Sequence, residues 1–157
     1  MGVKTKTIVT ELIAGVFILL FLYTALSKVF ELNDFQYVLR RSPLIGEWNI
    51  VVSWFVILSE LIICMLLLTK TLKLWGLFFS WLLMGVFSSY ILYLMVGGYD
   101  LPCRCGGVIK DLSWGQHLVF NSAFVLLGVT GWKLERDLTI YLNKPPAGGQ
   151  AGVAEQL

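Results

Sequence analysis

Two cysteines separated by a single residue, Cys103 and Cys105, stand in GYDLPCRCGGVIKDLSWGQH, the most polar internal stretch of an otherwise apolar chain. A disulfide across one intervening residue closes a small, strained ring, and strained or exposed disulfides tend to have more oxidising potentials. Arg104 and Lys110 add positive charge that favours the thiolate, which is the attacking species. Pro102 stiffens one flank, and Gly106-Gly107 permits a tight turn and close approach by another backbone. A passive disulfide pinning a loop is the plainer alternative, although so short a ring removes little chain entropy. Metal capture is a third: two soft thiolates with His117 as an imidazole ligand suit Cu(I) or Zn(II).

Five further positions carry polar chemistry inside apolar runs. His117, the single histidine, and Asn121 are four residues apart and project from one helix face. His117 could exchange protons near neutral pH for the thiols; bonding to a backbone carbonyl, with Asn121 joining two helices, is the plainer reading. Glu60 falls near the middle of an apolar run, where a carboxylate costs at least ~2.5 kcal/mol, so it must face the bundle interior and pair or stay protonated. Its candidate partners are Lys28 and the Ser88-Ser89-Tyr90 cluster. Cys64, one turn beyond Glu60, reads as a small apolar filler. Glu11 reads as snorkelling to water.

The elements that must position these residues follow from composition. Of 157 residues, 57% are hydrophobic and 14% charged, with a mean hydropathy of +0.78, a balance typical of membrane proteins. A net charge of +2 with no basic stripe excludes a nucleic-acid footprint. A bilayer core needs about 20 apolar residues per helix, and such runs occur at 8–30, 48–69, 74–96 and 114–133. The expectation is an all-α, polytopic four-helix transmembrane bundle over residues 1–140, followed by a flexible cytoplasmic tail, 141–157. Trp48, Trp75, Trp114 and Trp132 fall near span ends, where indoles favour the interface. Ala25-Leu26-Ser27 imitates a signal cleavage site, but its use would leave an odd number of spans, so the first run is read as a retained span.

Between the first two spans, ELNDFQYVLRRSPLIGE suggests a short interfacial helix ending before Pro43. Arg40-Arg41 there could meet lipid phosphate or an acidic partner, or form a plain charged interface. Lys4, Lys6, Lys70, Lys73, Lys133, Arg136 and Lys144 share one side of the bundle, against Lys28, Arg40, Arg41, Arg104 and Lys110 on the other. The positive-inside bias puts both termini in the cytoplasm and the cysteine loop in the oxidising space outside a bacterial inner membrane.

Taken in order, YTALSKVFELNDFQYVLRRSPLI, the Glu60-bearing second span, CRCGG and WGQHLVFN resemble the MauE/DoxX-like membrane proteins, over roughly residues 8–132. The resemblance implies a redox-associated four-helix protein. In its MauE branch it implies maturation of the disulfide-rich small subunit of methylamine dehydrogenase beside a thioredoxin-like partner. Cys103 and Cys105 then look like the exchanging thiols, with Arg104 and His117 tuning them. With one loop pair and Cys64 alone in the core, an autonomous two-pair relay to a quinone is disfavoured and a partner protein is required. No cofactor is assigned, and a quinone is an open possibility. The expected function is membrane thiol–disulfide exchange. The alternatives are a non-catalytic subunit or assembly factor of a larger membrane complex, and a metal handler using Cys103, Cys105 and His117.

Overall fold

The computed structural model describes residues 2–98 and 113–143, and every regular element among them is helical. Helix α1 spans Val3–Phe30, α2 Leu32–Arg40, α3 Asn49–Leu68, α4 Lys73–Val96 and α5 Trp114–Leu142. Cys103, Arg104, Cys105 and the tail beyond Asn143 lie outside the described residues. Three helical stretches, Val3–Phe30, Gly46–Leu68 and Lys73–Val96, are long and apolar enough to cross a membrane. The chain is therefore a multi-pass membrane protein. At 29 residues α5 is long enough, but Gln116, His117 and Asn121 near its start and Lys133–Asp137 near its end make it more polar than the other three.

Local chemistry explains the boundaries. Ser113 and Gln116 form a capping box that starts α5: Ser113 Oγ accepts from the Gln116 amide at 3.4 Å, and Gln116 Oε1 accepts from the Ser113 amide at 2.9 Å. Helix α2 stops at Arg40, short of Pro43, whose ring disfavours a helical preceding residue. A 3-10 turn, Gly46–Trp48, then leads into α3, and Asn49 Nδ2 donates to Gly46 O at 2.7 Å across the junction. Between α3 and α4 the Leu72 amide donates to Thr69 O at 3.0 Å, closing a hairpin that makes the two helices antiparallel. Helix α1 begins at Val3, before the apolar run, and α5 continues past Lys133 to Leu142. Both extensions are polar turns outside the apolar stretches from which spans are counted.

Helices α4 and α5 form the most extensive pair, and α1 packs on both α3 and α5. The core is built on Phe17, Phe21 and Leu77, each at most 1% exposed. Phe17 stacks on Phe21 and meets Phe124 of α5 edge-on, with ring centroids 5.7 Å and 5.5 Å apart. Close approach of α5 depends on a small residue. A Cβ at Gly128 would lie 2.7 Å from Trp81 Cβ and 3.2 Å from Trp81 Cα, so anything larger must push α4 away. On the outward side, Leu12, Leu19, Phe55, Ile62, Met65 and Val119 are exposed apolar side chains, as lipid-facing positions require.

Short helix α2 lies across one end of this bundle. Phe35 and Leu39 are its buried face and pack on Val56, with Ile45, Val52 and Phe87 around them. Gln36 Nε2 donates to Ser53 Oγ at 3.1 Å, tying α2 to α3. The end of α1, α2, the start of α3, the end of α4 and the start of α5 therefore share one end of the molecule.

Candidate functional site

Lys28 and Glu60 form an ion pair between α1 and α3, Nζ to Oε1 2.7 Å, with side chains 5% and 3% exposed. Of the two partners that the sequence offered Glu60, the structure pairs it with Lys28. The serines of the other cluster satisfy themselves within α4: Ser88 and Ser89 hydroxyls donate to Met84 O and Gly85 O. Lys28 also donates to Thr24 O at 3.4 Å, and its ammonium lies 5.9 Å from the Phe35 ring centroid. That distance is within the range of a cation–π contact. Thr24 Oγ1 stands 3.1 Å from Glu60 Oε1 and 3.2 Å from Phe21 O, and its single hydroxyl hydrogen serves one of them at a time. All of Glu60's partners thus converge on Oε1, and Oε2 has none among the described residues.

A cavity of about 320 Å³ adjoins the pair, with all five helices contributing to its wall. His117 and Asn121 line it from α5, both buried, and His117 Nδ1 also lacks a hydrogen-bond partner among the described residues. Phe21, Phe35, Phe87 and Phe120 give it an aromatic, apolar wall. The structure therefore brings Lys28, Glu60, His117 and Asn121, which lie far apart in sequence, to one chamber under α2. Tyr90 lines it as well.

Cys64 does not join the chamber. It carries a free thiol in the central apolar cluster with Phe17, Ile63 and Leu67, its Sγ 3.8 Å from Ile18 O. Cys103, Arg104 and Cys105 lie outside the described residues, as does the connection that carries them. Among the described residues no cluster of three His, Cys, Asp or Glu is arranged to hold a metal ion.

Sequence reasoning missed a second polar cluster at the opposite end. Lys73 at the start of α4 is buried and bridges Glu11 of α1 at 2.8 Å and Glu135 of α5 at 3.3 Å. Glu11, expected only to snorkel, is exposed over about half its side chain (55%) yet paired; Glu135, at 13% exposure, is the more enclosed partner. Lys6 and Asp137 stand 3.9 Å apart near the same end. The available signal was the clustering of these charges on one predicted side of the membrane. Thr24 was missed too, because a threonine in an apolar run has no signature of its own.

No curated protein and no solved structure matches the chain significantly. A family model does: methylamine utilisation protein MauE, over residues 6–134, which takes in every described helix except the ends of α1 and α5. With a match over most of its length, the chain belongs to the MauE family of membrane proteins.

Proposed function

We propose that the protein is a membrane thiol–disulfide exchange factor in which Cys103 and Cys105 react outside the membrane and the buried chamber supports them. The observation that carries this reading is that the chamber is lined by Leu94, in the last turn of α4, and His117, in the first turns of α5, the two helices that the cysteine segment connects. His117, whose amide donates to Ser113 O at 2.9 Å, stands one turn inside α5 and lines the chamber. A buried imidazole and a buried carboxylate near the helix ends that the cysteine segment connects are groups able to hold and pass the protons that dithiol oxidation releases.

In this reading a client thiolate attacks one sulfur of the Cys103–Cys105 disulfide, forming a mixed disulfide and freeing the other thiolate. A second client thiolate then displaces the protein sulfur. The client gains its disulfide, and the protein ends as a dithiol carrying two electrons and two protons. Cys64 is too deep in the core to continue the relay, so the disulfide of a thioredoxin-like partner restores the pair by the same exchange, the partner leaving as a dithiol. The client that the resemblance implies, an exported disulfide-containing subunit, accords with the family's description, methylamine utilisation.

The same reading takes α5 as a fourth span and α2 as an interfacial helix. Packing of α5 against α4 and α1, with buried positions from His117 to Leu138, supports its crossing alongside them. Both termini then share the cytoplasmic side of a bacterial inner membrane, and the cysteine segment faces the oxidising space.

The test is alkylation with a mass tag in intact cells, followed by separation of the oxidised and reduced forms. A working exchange protein holds a mixture of both forms that shifts within minutes on mild thiol or oxidant treatment. A pair that remains fully oxidised through both treatments is a structural loop disulfide, and would leave the protein as a non-catalytic subunit.

A further inference from the structure

The chamber between the helices is under-used by the protein itself. Glu60 Oε2 and His117 Nδ1 are buried polar atoms with no partner among the described residues, and both residues line the same cavity. Leaving such groups unmatched costs about 1–3 kcal/mol each, which a bound molecule with matching oxygens would recover. At about 320 Å³ the space lies at the small end of the range for small-molecule pockets. Its walls are apolar and rich in phenylalanine: Phe21, Phe35, Phe87 and Phe120. Its fixed charges, Lys28 and Glu60, already cancel each other at 2.7 Å. A charged ligand would therefore enter a low-dielectric site without a counter-charge, so the occupant must be neutral.

From these features we infer that the chamber binds the head of a lipid-soluble quinone or quinol: a neutral, apolar ring with oxygens on its edge. A ring oxygen of either form accepts from His117 Nδ1–H. The other oxygen, as a quinol hydroxyl, donates to Glu60 Oε2, which as the counter-ion of Lys28 only accepts, and the phenylalanines pack on the ring. The electron transfer, unlike the binding, rests on the thiol reading, with the quinone in place of a partner's disulfide as the oxidant that restores the Cys103–Cys105 bond. Cys103 and Cys105 as dithiol lose two electrons and two protons to form their disulfide, and the two ring carbonyls gain them as two hydroxyls. Glu60 and His117 are the groups placed to carry those protons.

Binding is tested on the full chain in lipid nanodiscs, with a decyl-substituted benzoquinone as the probe and decylbenzene as the control. The readout is the rise in unfolding temperature with ligand, which reports affinity through preferential binding to the folded state. A saturable rise with the quinone, none with decylbenzene, and about tenfold weaker binding by His117→Leu, the loss expected for one buried hydrogen bond, are the expected results. Val52→Trp, which puts an indole into the cavity wall, abolishes the rise. Each variant is first compared with wild type by helical circular dichroism; if Val52→Trp does not fold, His117→Leu and decylbenzene still complete the test. The Cys103→Ser/Cys105→Ser variant binds the quinone as wild type does, so failure of the thiol reading and failure of this one are separable. Absence of a saturable rise, an equal rise with decylbenzene, or unchanged affinity in His117→Leu overturns the inference.

Discussion

Lys28 Nζ and Glu60 Oε1 stand 2.7 Å apart, joining the last turns of α1 to the middle of α3, and both side chains are almost wholly enclosed. Each residue makes the other tolerable in an apolar bundle, since an unpaired charge there would carry several kcal/mol of desolvation. The same pair leaves one carboxylate oxygen without a partner among the described residues, on a residue that lines the chamber under α2.

A double-mutant cycle on this pair should be strongly non-additive. Lys28→Met and Glu60→Gln each strand a buried partner and should destabilise by about 3–5 kcal/mol, and the double variant should recover most of that loss. Chemical unfolding in one detergent, followed by circular dichroism, measures all four corners. Additive losses would mean that the two side chains do not depend on each other.

At the opposite end, the two partners of Lys73 differ in enclosure, Glu135 at 13% and Glu11 at 55% exposure. Glu11→Gln should therefore cost under about 1 kcal/mol, the usual range of a solvent-screened pair. Glu135→Gln should cost more than Glu11→Gln, and Lys73→Met more than either. The ordering of midpoints in the same unfolding assay checks this. Equal effects of the two glutamates would contradict it.

Helix α5 should be intolerant of size at one glycine and indifferent at another on α4. Gly128→Ala places a methyl 2.7 Å from Trp81 Cβ and should destabilise by about 1–3 kcal/mol through overpacking. Gly85→Ala meets nothing within 4 Å and should be neutral or stabilise by up to about 1 kcal/mol through helix propensity. Thermal midpoints of the two purified variants make the comparison.

These outcomes separate what the residue order made legible from what it did not. Apolar runs located α3 and α4 to within about a residue, because a span is a matter of length and hydropathy, both readable from sequence. The polar first turns of α1 and the charged last turns of α5 were not legible, since helices project beyond the apolar stretch with no change in hydrophobicity to mark it. Glu60 announced itself by being charged in a greasy run. The choice between Lys28 and the serine cluster needed the rotation of three helices about their axes, which no local pattern encodes. The Lys73 cluster was hidden for the same reason: Glu11, Lys73 and Glu135 are ordinary helix-end charges until three helices bring them together.

If α5 is a fourth span, residues 4 and 144 lie on one side of the membrane and residue 47 on the other. Single cysteines at Lys4, Lys144 and Glu47, in a chain whose native cysteines are serine, should show two classes of labelling by a membrane-impermeant maleimide. Glu47→Cys should react in intact spheroplasts, and Lys4→Cys and Lys144→Cys only after lysis. Labelling of positions 4 and 144 from opposite sides would mean an odd number of crossings.

The central claim is that Cys103 and Cys105 exchange disulfides with another protein. Its most direct measurement is the capture of a mixed disulfide in cells expressing Cys103→Ser or Cys105→Ser, quenched in acid and resolved on a non-reducing gel. One of the two variants should accumulate a covalent adduct that collapses on reduction and yields a thioredoxin-like protein or an exported disulfide-containing client by mass spectrometry. If neither variant forms an adduct while both are stably inserted in the membrane, the cysteines do not act by thiol exchange.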